Sequence, residues 1–209
     1  MSIVFTRQFA TVDAAFRHGR HISRQEYKEY EFVSHNFDEI ERFYLAYQCR
    51  LVQHPDGFFY LLPRGDLIPT RTLPAAVMHL GQFIALKCRD PDITRTDGRI
   101  DTTALINDLE TTIPSETLSK VYSRKQKEVL SGERIHEEVR RALRMLAELR
   151  FVRLEGEDIV PTEAIARFME LARHGNDPSE QASITMQAMR GVVLEAQEAG
   201  AEDDGSTDH

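Results

Sequence analysis

The chain has 209 residues, with 26 lysines and arginines against 34 aspartates and glutamates, for a formal charge of −8 at pH 7. That length fits one large domain or two small ones, and the acidity excludes nucleic-acid binding through net charge, leaving only a local patch for that purpose. The two cysteines, Cys49 and Cys88, exclude a disulfide framework; each falls within a helical pattern and reads as a buried thiol in a reducing compartment.

The N-terminal run MSIVFTRQFATVDAAF lacks the basic, apolar and small-residue order of a secretory leader, and no stretch reaches the roughly 18 apolar residues of a membrane span. A soluble cytoplasmic protein is expected. Residues 11–18 (TVDAAFRH) read as a short helix stopped by Gly19, with Val12, Ala15 and Phe16 facing inward. Arg20, His21 and Ile22 form a connector suited to an edge strand, and Ser23 is the expected N-cap of the next helix. Residues 36–49 (NFDEIERFYLAYQC) are a capped amphipathic helix, followed by RLVQH, the turn Pro55-Asp56-Gly57 and FFYLL. Helix, short strand, helix, helix and hairpin is the order of a winged helix, so residues 1–63 are assigned to a first such domain.

Residues 64–72, just after Pro63, carry Pro69, a glycine and alternating charge, and read as a short linker. Residues 73–88 are apolar over more than one stripe, with Pro74 tolerated in the first turn and Val77, Leu80, Gly81 and Ile84 aligned. This helix is expected to be buried on two sides and to suit a protomer contact. Arg99 and Ile100 suggest a short strand before the helix TTALINDLE, whereas residues 111–130 lose periodicity and read as an insertion. In residues 131–161, Ser131 is the expected N-cap of a long helix whose Ile135, Val139, Ala142, Leu146 and Leu149 form one stripe, opposite Glu137, Arg141, Arg144 and Glu148. Two short apolar runs split by Glu155, Gly156 and Glu157 follow as a second wing. A second winged helix therefore spans 73–161, with C-terminal helices over 162–199, Thr162 capping the first of them, and an acidic disordered tail over 200–209. The fold class is mainly α with small β wings, as tandem winged-helix domains.

The strongest site-like feature is basic. Between residues 120 and 153, ten cationic side chains stand against five glutamates, a segregation that can neutralise phosphates without reading sequence. The candidates are Lys125, Lys127, Arg134, Arg140, Arg141, Arg144, Arg150 and Arg153. The competing reading is a solvated helix face laced with pairs such as Glu137 to Arg141. Base-specific recognition is disfavoured because that face offers no Asn or Gln. Phosphate-loop, GxSxG, HExxH and paired CxxC motifs are absent, which argues against an enzyme. His18 and His21 are separated by a helix-breaking glycine and lack a third ligand, and the acidic loop at Asp90, Asp92 and Asp97 has Arg95 where a calcium loop requires glycine. No metal and no cofactor are expected. Phe43, Tyr44, Tyr47, Phe58, Phe59 and Tyr60 read mainly as the first core.

Three stretches carry a family resemblance: GRHIS at 19–23, FYLAYQCRLVQHPDGFFYLLPRGDLIPTRTL at 43–73 and FMELARHGNDPSEQ at 168–181. Together they resemble the MukE/MksE family, the kleisin-interacting subunits of bacterial MukBEF-type SMC complexes, over about 12–181. The resemblance implies a non-catalytic homodimer of tandem winged-helix protomers. It would grip a MukF/MksF-like kleisin, join through it to a MukB/MksB-like SMC ATPase, and contact double-stranded DNA non-specifically in the nucleoid, in chromosome condensation and segregation or in plasmid defence. Phe58, Phe59, Tyr60, Leu73, Val77 and Leu80 are the expected kleisin-binding residues. The alternative is a free-standing winged-helix transcription regulator with Arg140, Arg141 and Arg144 in a major groove.

Overall fold

The structure, a computed structural model, describes residues 2–68, 73–89, 97–122 and 132–174, the last five as backbone alone. The expected cap Ser131, the acidic loop at 90–96, the helix over 178–199 and the acidic tail lie outside these residues.

Helix α1 (Arg7–Arg17) begins four residues earlier than expected, with Thr6 as its N-cap accepting from the Phe9 amide. Thr11 lies inside the helix and donates to the Arg7 carbonyl at 3.1 Å. Gly19 ends the helix at φ +73°, and the Gly19 and Arg20 amides return to the carbonyls of Phe16 and Ala15. That is a Schellman closure, which needs the left-handed backbone glycine adopts without strain. Next come β1 (Ile22–Ser23), α2 (Tyr27–His35), α3 (Phe37–Leu45), β2 (Cys49–His54) and β3 (Phe58–Pro63). Ser23 is strand rather than N-cap, and its amide and hydroxyl donate to the Glu26 carboxylate at 3.0 and 2.8 Å. Asn36 also makes no cap bond; its amide donates back to the Phe32 carbonyl at 2.8 Å. Gln48 at φ +56° turns the chain out of the helix, so Cys49 opens a strand instead of closing a helix.

The second half repeats this order with one addition: α4 (Ala75–Lys87), β4 (Ile100–Asp101), α5 (Thr102–Thr112), α6 (Ser115–Tyr122), α7 (Gly132–Glu148), β5 (Val152–Glu155), β6 (Asp158–Pro161) and a 3-10 segment (Glu163–His174). The addition is α6, inside the stretch expected as an insertion. It is short, but Leu118, Val121 and Tyr122 are buried in the second core. Cys88 caps α4 from just beyond its end. Asp101 caps α5 by accepting from the Ala104 amide at 2.8 Å. Thr162 does not cap with its side chain, which donates to the carbonyls of Arg150 and Phe151 at 2.7 and 3.1 Å.

Each half carries a three-stranded antiparallel sheet, in the orders β1-β3-β2 and β4-β6-β5. Ile22 pairs with Phe59 in the first and Ile100 with Ile159 in the second. Hairpins close at Gly57 (φ +88°) and Gly156 (φ +65°). Two cores lie beneath the sheets. Successive side chains of a strand point to opposite faces, and β3 uses this to join the cores: Phe59 fills the first and Phe58 the second. On α7, Ile135, Val139, Ala142, Leu143 and Leu146 are buried, and each such Leu contributes roughly 1.5–3 kcal/mol. Helix α4 is buried along Val77, Leu80, Gly81, Ile84 and Ala85, between α7 and the 3-10 segment. A Cβ at Gly81 would stand 2.5 Å from Phe168 Cζ, so only glycine permits that approach.

Candidate partner-docking cleft and arginine face

The joint between the halves centres on His21. Its ring and its backbone amide both face the Leu149 carbonyl, at 2.9 and 3.2 Å. A carbonyl only accepts, so Nδ1 carries the proton and Nε2 is left as the acceptor for Arg167 Nη1 at 2.7 Å. The ring is 3% exposed and contacts Phe58, Tyr60 and Phe151. Burial, reinforced by the Arg167 charge, lowers its pKa to about 3. His21 is therefore a neutral structural histidine, and His18 turns elsewhere, to the Ala14 carbonyl at 2.6 Å. Among the described residues no group of three or more His, Cys, Asp or Glu could hold a metal, and no helix is long and apolar enough to cross a membrane. Both thiols are free, and burial raises their pKa values, that of Cys88 to about 11.

Above this joint lies a cleft of about 590 Å³. The end of α1, the end of β3, Ile68, Leu73 and Met78 line it, with Leu149, Phe151, Arg167 and Phe168 opposite. Leu62 and Met78 expose apolar surface there. Among the described residues none that lines it is acidic. Arg17 on the rim is already matched, since its Nε donates to both Asp13 oxygens at 2.8 and 2.9 Å. Arg167 stacks over the Tyr60 ring at 4.0 Å.

The residues expected to bind a partner divide between interior and surface. Phe58, Phe59 and Leu80 are 0% exposed and Val77 is 3% exposed, so these four are core and present no docking surface, a correction that follows from β3 and α4 being covered on both sides. Tyr60 and Leu73 are half-buried, Tyr60 beneath Arg167 and Leu73 in the cleft wall. Reading the sequence missed Arg167, His21, Met78 and Leu62 as one site, because they come from four separate segments. Two of the stretches that carry the family resemblance hold His21 and the Arg167 neighbour Phe168, which was the available signal.

The basic candidates also separate. Arg140, Arg141 and Arg144 share an open groove on α7 with Glu137, Glu138 and Glu148, three guanidiniums against three carboxylates. Arg141 lies 3.8 Å from Glu138. Arg134 is exposed in the first turn of α7. Arg150 points away, 3.7 Å from Glu26 of the first half, and Arg153 on β5 pairs with Glu155 at 3.1 Å. Lys125 and Lys127 lie outside the described residues. Helix α7 itself is thus charge-balanced, with Arg134, Arg140, Arg141 and Arg144 beside Glu133, Glu137, Glu138 and Glu148, and the cations in excess among the described residues of 120–153 are Lys120, Arg150 and Arg153 beyond its ends.

The chain matches the family model described as "Condensin complex protein MksE" over residues 7–173. It is 32% identical over 177 residues to "Chromosome partition protein MukE" of Escherichia coli (strain K12), covering 82% of this chain and 76% of that one. The MukE proteins of Yersinia pestis and Photorhabdus laumondii are each 30% identical to it over 177 residues, covering 82% of this chain and 76% and 77% of theirs. The matched span takes in both halves, both hairpins and the cleft between them, and the chain belongs to the MukE/MksE family.

Proposed function

We propose that the chain is a non-catalytic subunit of a condensin-type SMC complex acting in chromosome partition. In this reading the two halves are winged-helix modules, the protein is a homodimer, and the cleft between the modules receives a segment of the kleisin. The kleisin links it to the SMC ATPase, and all of this takes place in the cytoplasm at the nucleoid. The observation that carries the reading is the family match over residues 7–173, which spans the elements that build the cleft. Arg140, Arg141 and Arg144 serve as weak phosphate contacts when the assembled complex brings DNA to α7. Their three glutamate neighbours cancel the local field, which argues against a free-standing regulator that must find its site unaided.

The test is co-elution of the chain with the kleisin-type subunit of the same organism's SMC complex. Wild type is expected to co-elute and the pair Leu62→Glu with Met78→Glu to elute alone, while Arg141→Glu with Arg144→Glu keeps the kleisin and loses DNA retention by the assembled complex. Co-elution of the Leu62→Glu, Met78→Glu protein would remove the cleft from the reading. DNA retention unchanged by the arginine reversals would remove the arginine face.

A further inference from the structure

We infer that Arg167 is the anchor for a carboxylate on the segment that docks in the cleft, so that the cleft selects an apolar peptide carrying an acidic side chain. The inference rests on the cleft being the docking site and adds what the site recognises.

Three observations carry it. First, Arg167 is held in place before any partner arrives: Nη1 donates to His21 Nε2 at 2.7 Å, and the guanidinium carbon lies over the Tyr60 ring, 4.0 Å from its centre. His21 cannot drift from this role, because the Leu149 carbonyl fixes its tautomer. A guanidinium held at one nitrogen and at its carbon presents its remaining N–H groups in a fork that matches a carboxylate. Second, neither partner neutralises its charge. His21 is a neutral base and Tyr60 a neutral ring, and among the described residues no carboxylate forms an ion pair with Arg167. Glu163, four residues earlier, does not reach it; Glu163 Oε2 is buried without a hydrogen-bond partner. Third, the surroundings raise the value of an added charge. Leu62, Leu73, Met78 and Phe168 wall the cleft, and among the described residues no acid lines it. A cation beside apolar walls is incompletely solvated, and an incoming carboxylate restores what was lost. The same walls take the neighbouring apolar side chains of the peptide.

The test uses the full chain and overlapping fluorescein-labelled peptides covering the kleisin-type subunit of the same organism's SMC complex, read by fluorescence anisotropy. In the tightest-binding peptide each Asp and Glu is changed to its amide in turn. One such change is expected to weaken binding to wild type roughly 10- to 100-fold, the range for losing a charged hydrogen-bonded pair. Arg167→Gln should weaken the parent peptide by a similar factor, and the two changes together should cost no more than either alone. The peptide-side changes leave the protein intact, so their effect cannot come from unfolding. If every amide peptide loses the same factor against wild type and Arg167→Gln, the anchor assignment is overturned. Should Leu62→Glu with Met78→Glu abolish binding in that case, the cleft survives without the anchor. If that pair leaves binding unchanged, or if neither the peptides nor the full-length kleisin bind, the docking reading falls and the anchor with it.

Discussion

Mild acid should destabilise the fold by an amount that two buried histidines set, His21 at the joint between the halves and His79 on α4 within the second half. His21 and His79 are 3% and 6% exposed. Burial, together with the Arg167 charge at His21, lowers their pKa values from 6.5 to about 3 and about 4. His79 faces the Tyr122 hydroxyl at 3.1 Å, a contact that does not require a charged ring. Because the folded pKa values lie below the unfolded one, the unfolded chain binds more protons between them. The contribution of each histidine is therefore complete above pH 6.5 and is lost as pH falls toward 3 for His21 and toward 4 for His79. At pH 5 the gap from 6.5 is 1.5 units, worth about 2 kcal/mol per histidine. For a chain of this size that translates to about 8–16 °C for the pair. Thermal melts by circular dichroism at pH 7.5 and pH 5.0 measure it, and His79→Gln should remove about half of the difference. A melting temperature that moves by less than about 2 °C between these pH values, or a difference His79→Gln leaves intact, would refute the reasoning.

Two further predictions concern backbone positions. Gly81→Ala gains about 1 kcal/mol of helix propensity, but its Cβ would meet Phe168 at 2.5 Å, and Phe168 is itself packed on Phe151 at 4.7 Å; a net loss of about 1–2 kcal/mol is expected in urea unfolding, and a more stable variant would show that the ring moves aside freely. Helix α7 closes as α1 does, with the Arg150 and Phe151 amides returning to the carbonyls of Ala147 and Leu146, yet Arg150 holds φ +66° without being glycine. Arg150→Gly removes about 1 kcal/mol of backbone strain and gives up an exposed ion pair with Glu26 worth about 0–1 kcal/mol. The variant should be as stable as wild type or slightly more so by the same assay, and a loss above about 1 kcal/mol would mean that the Glu26 pair outweighs the strain.

Periodicity made the long elements legible. The stripe from Ile135 to Leu149 is buried as the spacing of four and three requires, and the two-sided apolar character of α4 reflects its position between α7 and the 3-10 segment. Boundaries were less legible wherever one side chain could serve two purposes. The pattern of α1 reads from residue 11, whereas Thr6, whose hydroxyl donates to the Ile3 carbonyl and accepts from the Phe9 amide, starts the helix a full turn earlier. Ser23 could cap a helix or pair in a sheet, and its pairing with Phe58 decides. Helix α6 escaped notice because eight residues span barely two turns, too short for a period to establish itself. Phe58 and Phe59 posed a different difficulty: alternation places them on opposite faces, but nothing local says that both faces of β3 are covered.

The arginine face and the cleft show why charge must be counted in space. Along the sequence, residues 120–153 are the positive stretch of an acidic chain. In the structure α7 places Glu137, Glu138 and Glu148 among Arg140, Arg141 and Arg144, Arg150 leaves for Glu26, and Arg153 is taken by Glu155. A surface that departs from the chain's acidity is instead the concave apolar joint, where none of the described lining residues is acidic and Arg167 stands against a histidine that burial keeps uncharged. The same burial that keeps His21 neutral at physiological pH preserves it as the acceptor for Arg167, so the joint's stability and the cleft's charge depend on one proton. Protonating His21 would turn a hydrogen-bond acceptor into a second cation 2.7 Å from the first, and Arg167 would have to leave its place beside the ring to relieve it.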